Sequence, residues 1–506
     1  MNIIIRADAS IQIGSGHVMR CLTLAEALRE RGAEVHFICR ELPGHLGGVL
    51  AGKGYPVYWL PAPGADEAAI PAHTAHTAWL GVPWAVDADQ TRDRLAGLPE
   101  IGWLIVDHYA LDRAWESRMR PLVKRIMVID DLADRPHECD LLLDQNLYEG
   151  MEQRYAGLLP ADCRQLLGPR YALLRPEFRE AREQLRQRDG VVRRILVFFG
   201  GADPSNETAK ALRAIQRLER PDIAVDVVVG EANPHRAEIE ALCAEWPNAS
   251  FHCQVTHMAE LMAKADLAIG AGGVSTWERA VLAVPSLVIA VAENQRRVAE
   301  HLAATGGCLY LGPAETVTTD HIQQLLPVLY TNYFLARAIG ACASQYVDGR
   351  GASRIVKVLM ATHIVLRHAT AEDCRNLYIW RNDEVTRRYS GDSLPIAWET
   401  HIQWFSKVIK RADRLLVIGE CDSRPVGVLR FDLEGQQAAI SVYLVPGNQG
   451  SGLGTALIEA GTHYLAQHAP AISEIVARVS IHNRASIGAF NGAGYAIDSL
   501  QLRRAV

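Results

Sequence analysis

The sequence has no hydrophobic run long enough to cross a membrane. None of its apolar stretches approaches the roughly 18 residues that a spanning helix needs. The segment from Met1 to Asp8 has no basic residues before its short apolar run, which is typical of a first buried strand and not of a signal peptide. We therefore expect a cytoplasmic protein with no membrane partner.

The sequence also lacks an excess of positive charge. Lysine and arginine number 52 against 58 aspartate and glutamate, so no overall basic field exists to hold a phosphate backbone, and we expect no nucleic-acid partner. The ten cysteines include no C-x-x-C pair, which argues against a zinc ribbon or a redox dithiol and predicts reduced thiols. We expect no metal, because the one tight histidine pair, His73 and His76, has no acidic or thiol residue nearby.

The 506 residues are 49% hydrophobic and 22% charged, the composition of an ordinary globular protein. At roughly 150 residues per domain, this length predicts about three domains. Short apolar strands alternate with amphipathic helices over residues 1–165 and 166–362, which predicts two doubly wound Rossmann-like domains that share a cleft. Residues 363–506 contain mixed strands and a different glycine motif, which predict a mixed α/β domain. The charged stretch from Leu173 to Arg194 predicts a solvated connecting helix.

A glycine loop follows the first predicted strand and leads into a helix at His17. The loop contains Gly14 and Gly16, but Met19 stands where a dinucleotide-binding motif has its third glycine. A helix N-terminus disfavours added positive charge, so His17 would stay neutral and able to accept a proton. The alternative is that His17 only caps the helix or packs against it.

Two further glycine loops lie in the second predicted domain. Gly200 and Gly201 come directly after a strand, where backbone N–H groups can approach a pyrophosphate. The next loop and the turn after the following strand supply polar candidates for nucleotide binding: Gly273, Ser275, Thr276, Glu278, Asn294 and Gln295. Glu278 can accept both ribose hydroxyls, and Ser275 and Thr276 can meet phosphate. The alternative is a capping box, S-x-x-E, at a helix start.

These residues carry a resemblance over roughly residues 1–340. The pattern G-G-x-S-T-x-E followed by E-N-Q resembles the UDP-sugar site of two-domain GT-B glycosyltransferases. The first loop, R-x-D-x-S-x-x-I-G-x-G-H-x-x-R-C, and the segment Asp107-His108-Tyr109 resemble the UDP-sugar hydrolases of pseudaminic acid biosynthesis. The resemblance implies inverting, metal-free hydrolysis of UDP-2,4-diacetamido-2,4,6-trideoxy-β-L-altropyranose, with UDP as the leaving group.

The resemblance also implies roles for individual residues. His17 would be the general base, and Tyr109 and Asn294 would position the water or the sugar. Asp8 would either orient His17 or hold a sugar hydroxyl. Further contacts with UDP or substrate are expected from Arg6, Gly14, Gly16, Gly200, Gly201, Gly273, Ser275, Thr276, Glu278 and Gln295.

The last predicted domain contains the pattern Q-x-x-G-x-G between a strand and a helix, starting at Gln449. It resembles the acetyl-CoA loop of GNAT N-acetyltransferases, whose backbone N–H groups hold a pyrophosphate. A second GNAT element follows at Asn483, but the usual tyrosine, which protonates the departing thiolate, is Phe490 here. We leave that acid unassigned, and plain packing of Phe490 is an equal alternative.

The GNAT resemblance implies acetyl-CoA as a co-substrate. The expected contacts are Leu444, Val445, Gln449, Gly450, Gly452, Gly454, Thr455 and Asn483. A strand N–H near Leu444 or Val445 would polarise the thioester carbonyl. The segments around Trp380 and Trp404-Phe405 resemble the amino-sugar branch of the family, although Trp404 and Phe405 fit a core equally well.

Together the loops predict a bifunctional enzyme. Its last domain would acetylate the 4-amine of UDP-4-amino-4,6-dideoxy-L-AltNAc, and its first two domains would hydrolyse the product. The alternatives are a GT-B glycosyltransferase with a fused acetyltransferase, and a sensor that binds nucleotide sugar and CoA. The exact isomer, channelling between sites and the oligomeric state stay open.

Overall fold

A computed structural model describes residues 1–64, 76–361, 364–388, 394–421, 423–449 and 453–498. They form two compact units, Met1–Leu359 and Met360–Val506. The predicted domain boundaries at residues 165 and 363 stay predictions, and His73, Gly450 and Gly452 lie outside the described residues. Within the described ranges, no helix is long and apolar enough to cross a bilayer.

The first half of the first unit is built on a parallel sheet. Its strands are β1 (Asn2–Ala7), β2 (Glu34–Arg40), β3 (Val57–Leu60), β4 (Ile101–Asp107), β5 (Val123–Ile129), β6 (Leu141–Asp144) and β7 (Arg164–Leu167). Its helices are α1 (Gly16–Arg29), α2 (Gly47–Gly52), α3 (Trp84–Leu95) and α4 (Arg113–Met119). The strand order is β3-β2-β1-β4-β5-β6-β7, and every pair is parallel.

The second half repeats this plan. Its strands are β8 (Arg194–Phe198), β9 (Ala224–Val229), β10 (Ala249–Cys253), β11 (Leu267–Ala271), β12 (Ser286–Ala290) and β13 (Leu309–Pro313). Its helices are α5 (Pro176–Glu183), α6 (Glu207–Gln216), α7 (Arg236–Ala244), α8 (Met258–Lys264), α9 (Val274–Val281), α10 (Glu293–Ala304), α11 (Thr319–Thr331), α12 (Tyr333–Ala343) and α13 (Gly351–Leu359). The order β10-β9-β8-β11-β12-β13 is again all parallel. The two predicted doubly wound sheets are confirmed.

The strand order determines where each half can bind a ligand. β1 lies between β2 and β4, and β8 lies between β9 and β11. The connections change direction at these strands, and open α/β sheets bind ligands in the crevice outside their carboxyl ends. β1 carries a continuous apolar run, Ile3 to Ile5, that is fully buried because helices cover both faces of the sheet.

The connection between the halves differs from its prediction. α5 ends at Glu183, and the charged residues that follow are not helical and not simply solvated. Arg188 donates to the backbone carbonyls of Ala265 and Leu282, which lie at the ends of α8 and α9. Its guanidinium is therefore bound to the protein, whereas the prediction had it solvated. At the end of the unit α13 packs on α1, and Trp103 Nε1 donates to the Leu359 carbonyl at 2.9 Å.

The second unit is a mixed sheet with helices, as predicted. Its strands are β14 (Val365–His368), β15 (Arg414–Cys421), β16 (Arg424–Glu434), β17 (Gln437–Leu444) and β18 (Glu474–Ala477), in that order across the sheet. Its helices are α14 (Cys374–Asn382), α15 (Glu384–Arg388), α16 (Trp398–Val408), α17 (Leu453–His468) and α18 (Arg484–Gly492). The pairs are antiparallel except β17 with β18, which is parallel.

Candidate active site

A cavity of about 320 Å³ lies between the two halves of the first unit, at the carboxyl ends of their strands. The first half contributes His17, Tyr109 and Asp131 to its lining, and the second half contributes Gly273 and Asn294. The cavity therefore brings the predicted base, tyrosine and asparagine to one place, although they are up to 277 positions apart in the chain.

His17 lies on the first turn of α1 and is only 8% exposed. Its Nδ1 is 2.6 Å from Oδ1 of Asp107, the last residue of β4. Arg20, one turn further along α1, donates to both oxygens of Asp107 at 2.6 Å. A histidine and an arginine on the helix α1 are thus fixed to an aspartate at the end of the strand β4.

The charge on Asp107 determines the proton on His17. The guanidinium of Arg20 and the His17 ring outweigh the effect of burial and hold the pKa of Asp107 well below its usual range. An ionised carboxylate can only accept hydrogen bonds, so Nδ1 of His17 carries the hydrogen and donates it. In the neutral ring with this tautomer, Nε2 keeps its lone pair and can accept a proton.

Asp131 connects Tyr109 to the second half. Its carboxylate accepts from the Tyr109 hydroxyl and, at 2.9 Å, from Nδ2 of Asn146. The Asn146 carbonyl accepts from Nε1 of Trp277 on α9 at 2.9 Å. Because Asp131 also lies 3.6 Å from Arg20, one hydrogen-bonded network orients Tyr109 and links the cavity to α9.

Aromatic rings form an apolar wall beside His17. Tyr109 meets the His17 ring edge-on with centroids 4.6 Å apart, and Trp79 lies 6.3 Å from it. His76 packs against Trp79 at 4.4 Å and Tyr109 at 5.2 Å. His76 is thus part of this aromatic wall.

Among the described residues, no group of three or more His, Cys, Asp or Glu is placed to hold a metal.

Three helices begin at the cavity without a side-chain cap. The residues before them are Ser15 for α1, Gly273 for α9 and Ala292 for α10, and none of these accepts a first-turn N–H through its side chain. A helix start carries partial positive charge and unsatisfied N–H donors. The arrangement suits a multiply charged anion.

The structure corrects two predicted contacts. Arg6 and Asp8 are fully buried and do not line the cavity. Arg6 pairs with Asp8 and Asp87, and Asp8 also accepts the backbone N–H of Arg40 at 2.7 Å. These partners hold Asp8 away from His17, and the carboxylate that orients His17 is Asp107.

The predicted glycines fall into two groups. Gly16 and Gly273 line the cavity, whereas Gly14, Gly200 and Gly201 do not. Gly14 instead closes the loop before α1, with φ of 80° and its N–H donating to the Ser10 carbonyl. Gly201 lies against Gly230. A Cβ atom on Gly230 would lie 2.5 Å from the carbonyl oxygen of Gly201.

Three polar residues of α9 lie outside the lining of this cavity, and their predicted contacts with UDP stay predictions. Ser275 and Thr276 both accept hydrogen bonds from Arg279 and do not line the cavity, and neither does Glu278. Glu278 lies 3.6 Å from Arg175, and burial raises its pKa. The capping-box alternative is wrong, because Ser275 lies inside the helix that Gly273 begins. Gln295 lines the cavity beside Asn294 in the first turn of α10.

Sequence reasoning missed the partners of the predicted base and tyrosine. Arg20 stands three residues after His17 on one helix face. Asp107 is the last residue of β4, and Asp131 comes two residues after the end of β5. Acidic residues at the carboxyl ends of adjacent parallel strands are a usable signal. Asn146 gave no such signal.

In the second unit, one of the two predicted strand donors is already engaged. The Val445 N–H donates to the Val426 carbonyl on β16 at 2.9 Å, so it cannot polarise a thioester. Backbone N–H groups alternate sides along a strand, and Leu444 therefore directs its N–H to the opposite edge. The β17–β18 pairing ends at Ile440, which leaves that edge open at Leu444.

The remaining predicted residues of this unit lie around α17 and α18. Gln449 bonds to the Gly447 N–H, and Gly454 and Thr455 pack against α18. Asn483 caps α18 by accepting the Ser486 N–H at 3.0 Å. Phe490 is buried against Tyr495, and Phe405 is a core residue with Trp404 packed beside it.

Two segments of the chain match known domain families. Residues 194–340 match the glycosyltransferase family 28 C-terminal domain, and residues 363–496 match the acetyltransferase (GNAT) domain. With the two parallel sheets and their shared cleft, these matches define the class of the protein. It is a GT-B-like sugar-nucleotide enzyme followed by an acetyltransferase domain.

Individual relatives refine this class. A UDP-2,4-diacetamido-2,4,6-trideoxy-β-L-altropyranose hydrolase of Campylobacter jejuni is 26% identical over 309 residues, 60% of this chain and 97% of the relative. The spore coat polysaccharide biosynthesis protein SpsG of Bacillus subtilis is 33% identical over 195 residues, 38% of this chain and 57% of its own. An uncharacterized protein of Methanocaldococcus jannaschii is 23% identical over 448 residues, 84% of this chain and 82% of its own. The predicted resemblance to a UDP-sugar hydrolase joined to a GNAT domain is confirmed.

Proposed function

We propose that the first unit hydrolyses a UDP-sugar by attack of water at the anomeric carbon. The observation that carries this proposal is the hydrogen bond from His17 Nδ1 to Asp107, because it leaves Nε2 as a proton acceptor. When His17 takes a proton, the ionised Asp107 stabilises the imidazolium that forms. A positioned general base typically accelerates such a step by about 10²- to 10⁴-fold.

The bonds change in one displacement. The water oxygen bonds to the anomeric carbon on the face opposite UDP, and the water proton passes to His17 Nε2. The bond from the anomeric carbon to the β-phosphate oxygen breaks, and its electron pair leaves on UDP. Attack from the opposite face inverts the anomeric configuration, and His17 then releases its proton to solvent.

Three uncapped helix starts support the role of UDP as the leaving group. The N–H donors at Gly16, Val274 and the first turn of α10 would meet the negative charge that develops on the diphosphate. Donors fixed in place before the reaction stabilise such charge without reorganisation. For this reason the scheme needs no strong general acid beside the leaving group.

The substrate that we propose is UDP-2,4-diacetamido-2,4,6-trideoxy-β-L-altropyranose. Its support is the similarity to the hydrolase of Campylobacter jejuni over 97% of that relative. The wall of Trp79, His76 and Tyr109 suits a deoxysugar with acetamido methyl groups, since aromatic faces bury apolar surface. We propose that Tyr109, held by Asp131, and Asn294 position the sugar and the water.

We propose that the second unit acetylates the 4-amine of UDP-4-amino-4,6-dideoxy-L-AltNAc and so makes the substrate of the first. Acetyl-CoA fits the described residues, because β17 runs past β18 and exposes an edge at Leu444 ahead of α17. Bound there, it supplies an activated acetyl group. The Leu444 N–H would polarise the carbonyl while the sugar amine attacks and forms the C–N bond. The C–S bond breaks with its electron pair on the CoA thiolate, which takes a proton from solvent, and the amine loses a proton to solvent.

One time course tests both activities. The purified chain is incubated with acetyl-CoA and UDP-4-amino-4,6-dideoxy-L-AltNAc, and products are followed by mass spectrometry. We expect free CoA first, then UDP and the free diacetamido sugar. Failure to release UDP from the acetylated sugar nucleotide would contradict the hydrolase.

The match to a glycosyltransferase domain supports one alternative. A glycosyltransferase would release UDP only after a sugar acceptor is added, whereas a hydrolase needs water alone. A sensor that only binds its ligands would release neither UDP nor thiol in the same experiment.

A further inference from the structure

Arg279 is a buried arginine on α9 with no acidic partner. It is 2% exposed, and its guanidinium donates only to neutral oxygens. The acceptors are the Ala271 carbonyl at 2.7 Å and the hydroxyls of Ser275, Ser286 and Thr276 at 3.1, 3.2 and 3.4 Å. In the part of the chain that the structure describes, no carboxylate lies within 4.0 Å of it. Its hydrogen bonds are satisfied, but its charge is only partly balanced: burial outweighs the neighbouring carboxylate of Glu278, which favours the charged guanidinium, and lowers the pKa of Arg279 to about 10.

The position of Arg279 makes this imbalance larger. Its side chain reaches back to Ser275 and Thr276, the second and third residues of α9, so its charge lies about one helical turn from the helix start. That start, at Gly273 and Val274, lines the cavity and has no side-chain cap. The partial positive charge of the helix start therefore adds to the charge on Arg279.

Arg188 shows how a similar charge is balanced elsewhere. Its guanidinium also donates to backbone carbonyls, including Leu282 at the other end of α9. Carbonyl-rich helix ends carry partial negative charge and stabilise a cation. Arg188 thus lies at the carbonyl-rich ends of helices, whereas Arg279 lies near the positive start of one.

We propose that Arg279 is a positioning residue for the diphosphate of UDP: it holds the turn from Ala271 to Thr276 and supplies the buried positive charge that the ligand balances. This inference rests on the proposed function, since it assigns the anion at the start of α9 to a nucleoside diphosphate. It predicts that the diphosphate, and not the nucleoside, depends on Arg279.

Binding of UDP and uridine to the full chain, measured by calorimetry, tests this role. Arg279→Gln should weaken UDP binding by roughly tenfold or more, about 1.4 kcal/mol for each factor of ten, and leave uridine within about twofold. Arg279→Lys keeps the charge and should restore most of the preference for UDP. The matched control Arg188→Gln removes a guanidinium from the far end of α9 and should leave both affinities unchanged.

A second variant covers the case in which Arg279→Gln does not fold. Ser286→Asp places a carboxylate beside the Arg279 Nε, now 3.2 Å from the serine hydroxyl, and should weaken UDP binding while uridine binding stays. The inference is overturned if the foldable variants lower UDP and uridine affinity by the same factor, or lower neither. If the unchanged protein binds UDP no more tightly than uridine, the proposed nucleotide site itself fails, which is a different result.

Discussion

The two halves of the first unit treat their buried arginines in opposite ways. In the first half, Arg6 and Arg20 are paired with carboxylates at 2.6 Å, and these partners raise the pKa of both guanidinium groups despite burial. In the second half, the half-buried Arg188 and the buried Arg279 donate to neutral oxygens, and burial lowers the pKa of each to about 10.

On the proposed function, this difference assigns catalysis to the first half and binding of the diphosphate to the second. In the first half, Arg20 is paired with Asp107 without a ligand, so on our proposal His17, Asp107 and Asp131 are held in one geometry before substrate arrives. In the second half, the carboxylate nearest to the Arg279 guanidinium, that of Glu278, does not pair with it, and on our proposal the diphosphate of the ligand supplies the negative charge. Changes in the first half should therefore reduce the rate of the bound substrate, and changes in the second half should reduce affinity.

The largest effect is expected from His17→Asn. Loss of the proton acceptor should slow UDP release by about 10³-fold, within the usual range for a general base, while UDP affinity changes little. Steady-state kinetics and calorimetry measure the two quantities. The control His36→Asn changes an imidazole on β2 that does not line the cavity and should keep full activity. An active His17→Asn protein would remove His17 from the mechanism.

Asp107→Asn should slow hydrolysis by about 10²-fold or more. The amide group of asparagine can donate to His17 Nδ1. It would then favour the tautomer with its hydrogen on Nε2, which cannot accept a proton from water at Nε2. The substitution also removes the closer of the two carboxylates that pair with the buried Arg20 and leaves Asp131 at 3.6 Å, so stability should fall by up to about 3–5 kcal/mol, the usual cost of breaking a buried ion pair. Kinetics at a temperature where circular dichroism shows a folded protein separate the two effects. Normal kcat would mean that Asp107 does not orient the base.

Much of the fold and part of the site follow from local sequence. Buried parallel strands are continuous apolar runs, so strands such as β1 and β11 are visible without any tertiary information. β7 is not, because its residues Arg164 and Gln165 are polar and exposed at the edge of the sheet. The glycine loops before α1 and α9 are likewise local, and they predict the helix starts that line the cavity.

Side-chain partners could not be predicted in this way. Asp8 is nine residues from His17 in the chain, and Asp107 is 90 residues away. The order of the strands nevertheless places Asp107 against His17 on α1, whereas Asp8 pairs with Arg6. The sequence is compatible with Val445 as a backbone donor to the thioester carbonyl. Its pairing with β16 excludes this, because its N–H donates to the Val426 carbonyl. Pairing across strands is set by the whole sheet, which spacing along the chain does not contain.

The charge balance of the first half also predicts a pH dependence of stability. Arg6 and Arg40 overcome burial and lower the pKa of Asp87 from 3.8 to about 2. A depressed folded-state pKa contributes stability above the unfolded value, so the free energy of unfolding should fall by about 2 kcal/mol as the pH falls from about 4 to 2. Denaturant titrations at several pH values measure this. Asp87→Asn should flatten the curve, and an unchanged slope would contradict it.

Gly273→Ala should produce a smaller change, in affinity. Gly273 has φ of 87° and ψ of −156°, a region that alanine occupies only with strain of about 1–3 kcal/mol. The start of α9 should shift, weakening UDP binding by about tenfold with little effect on kcat. Gly48→Ala, a glycine of α2 with open space around it and no positive φ, is the control. Equal loss of kcat and affinity would contradict the assignment of binding to the second half and catalysis to the first.

The most direct test of the account is hydrolysis of the diacetamido UDP-sugar in water enriched in ¹⁸O, with products analysed by mass spectrometry and immediate NMR. If His17 activates water against the anomeric carbon, the label appears in the anomeric hydroxyl of the sugar, UDP stays unlabelled and the first anomer formed is inverted. Label in UDP, or a retained anomer, would contradict attack of water at the anomeric carbon.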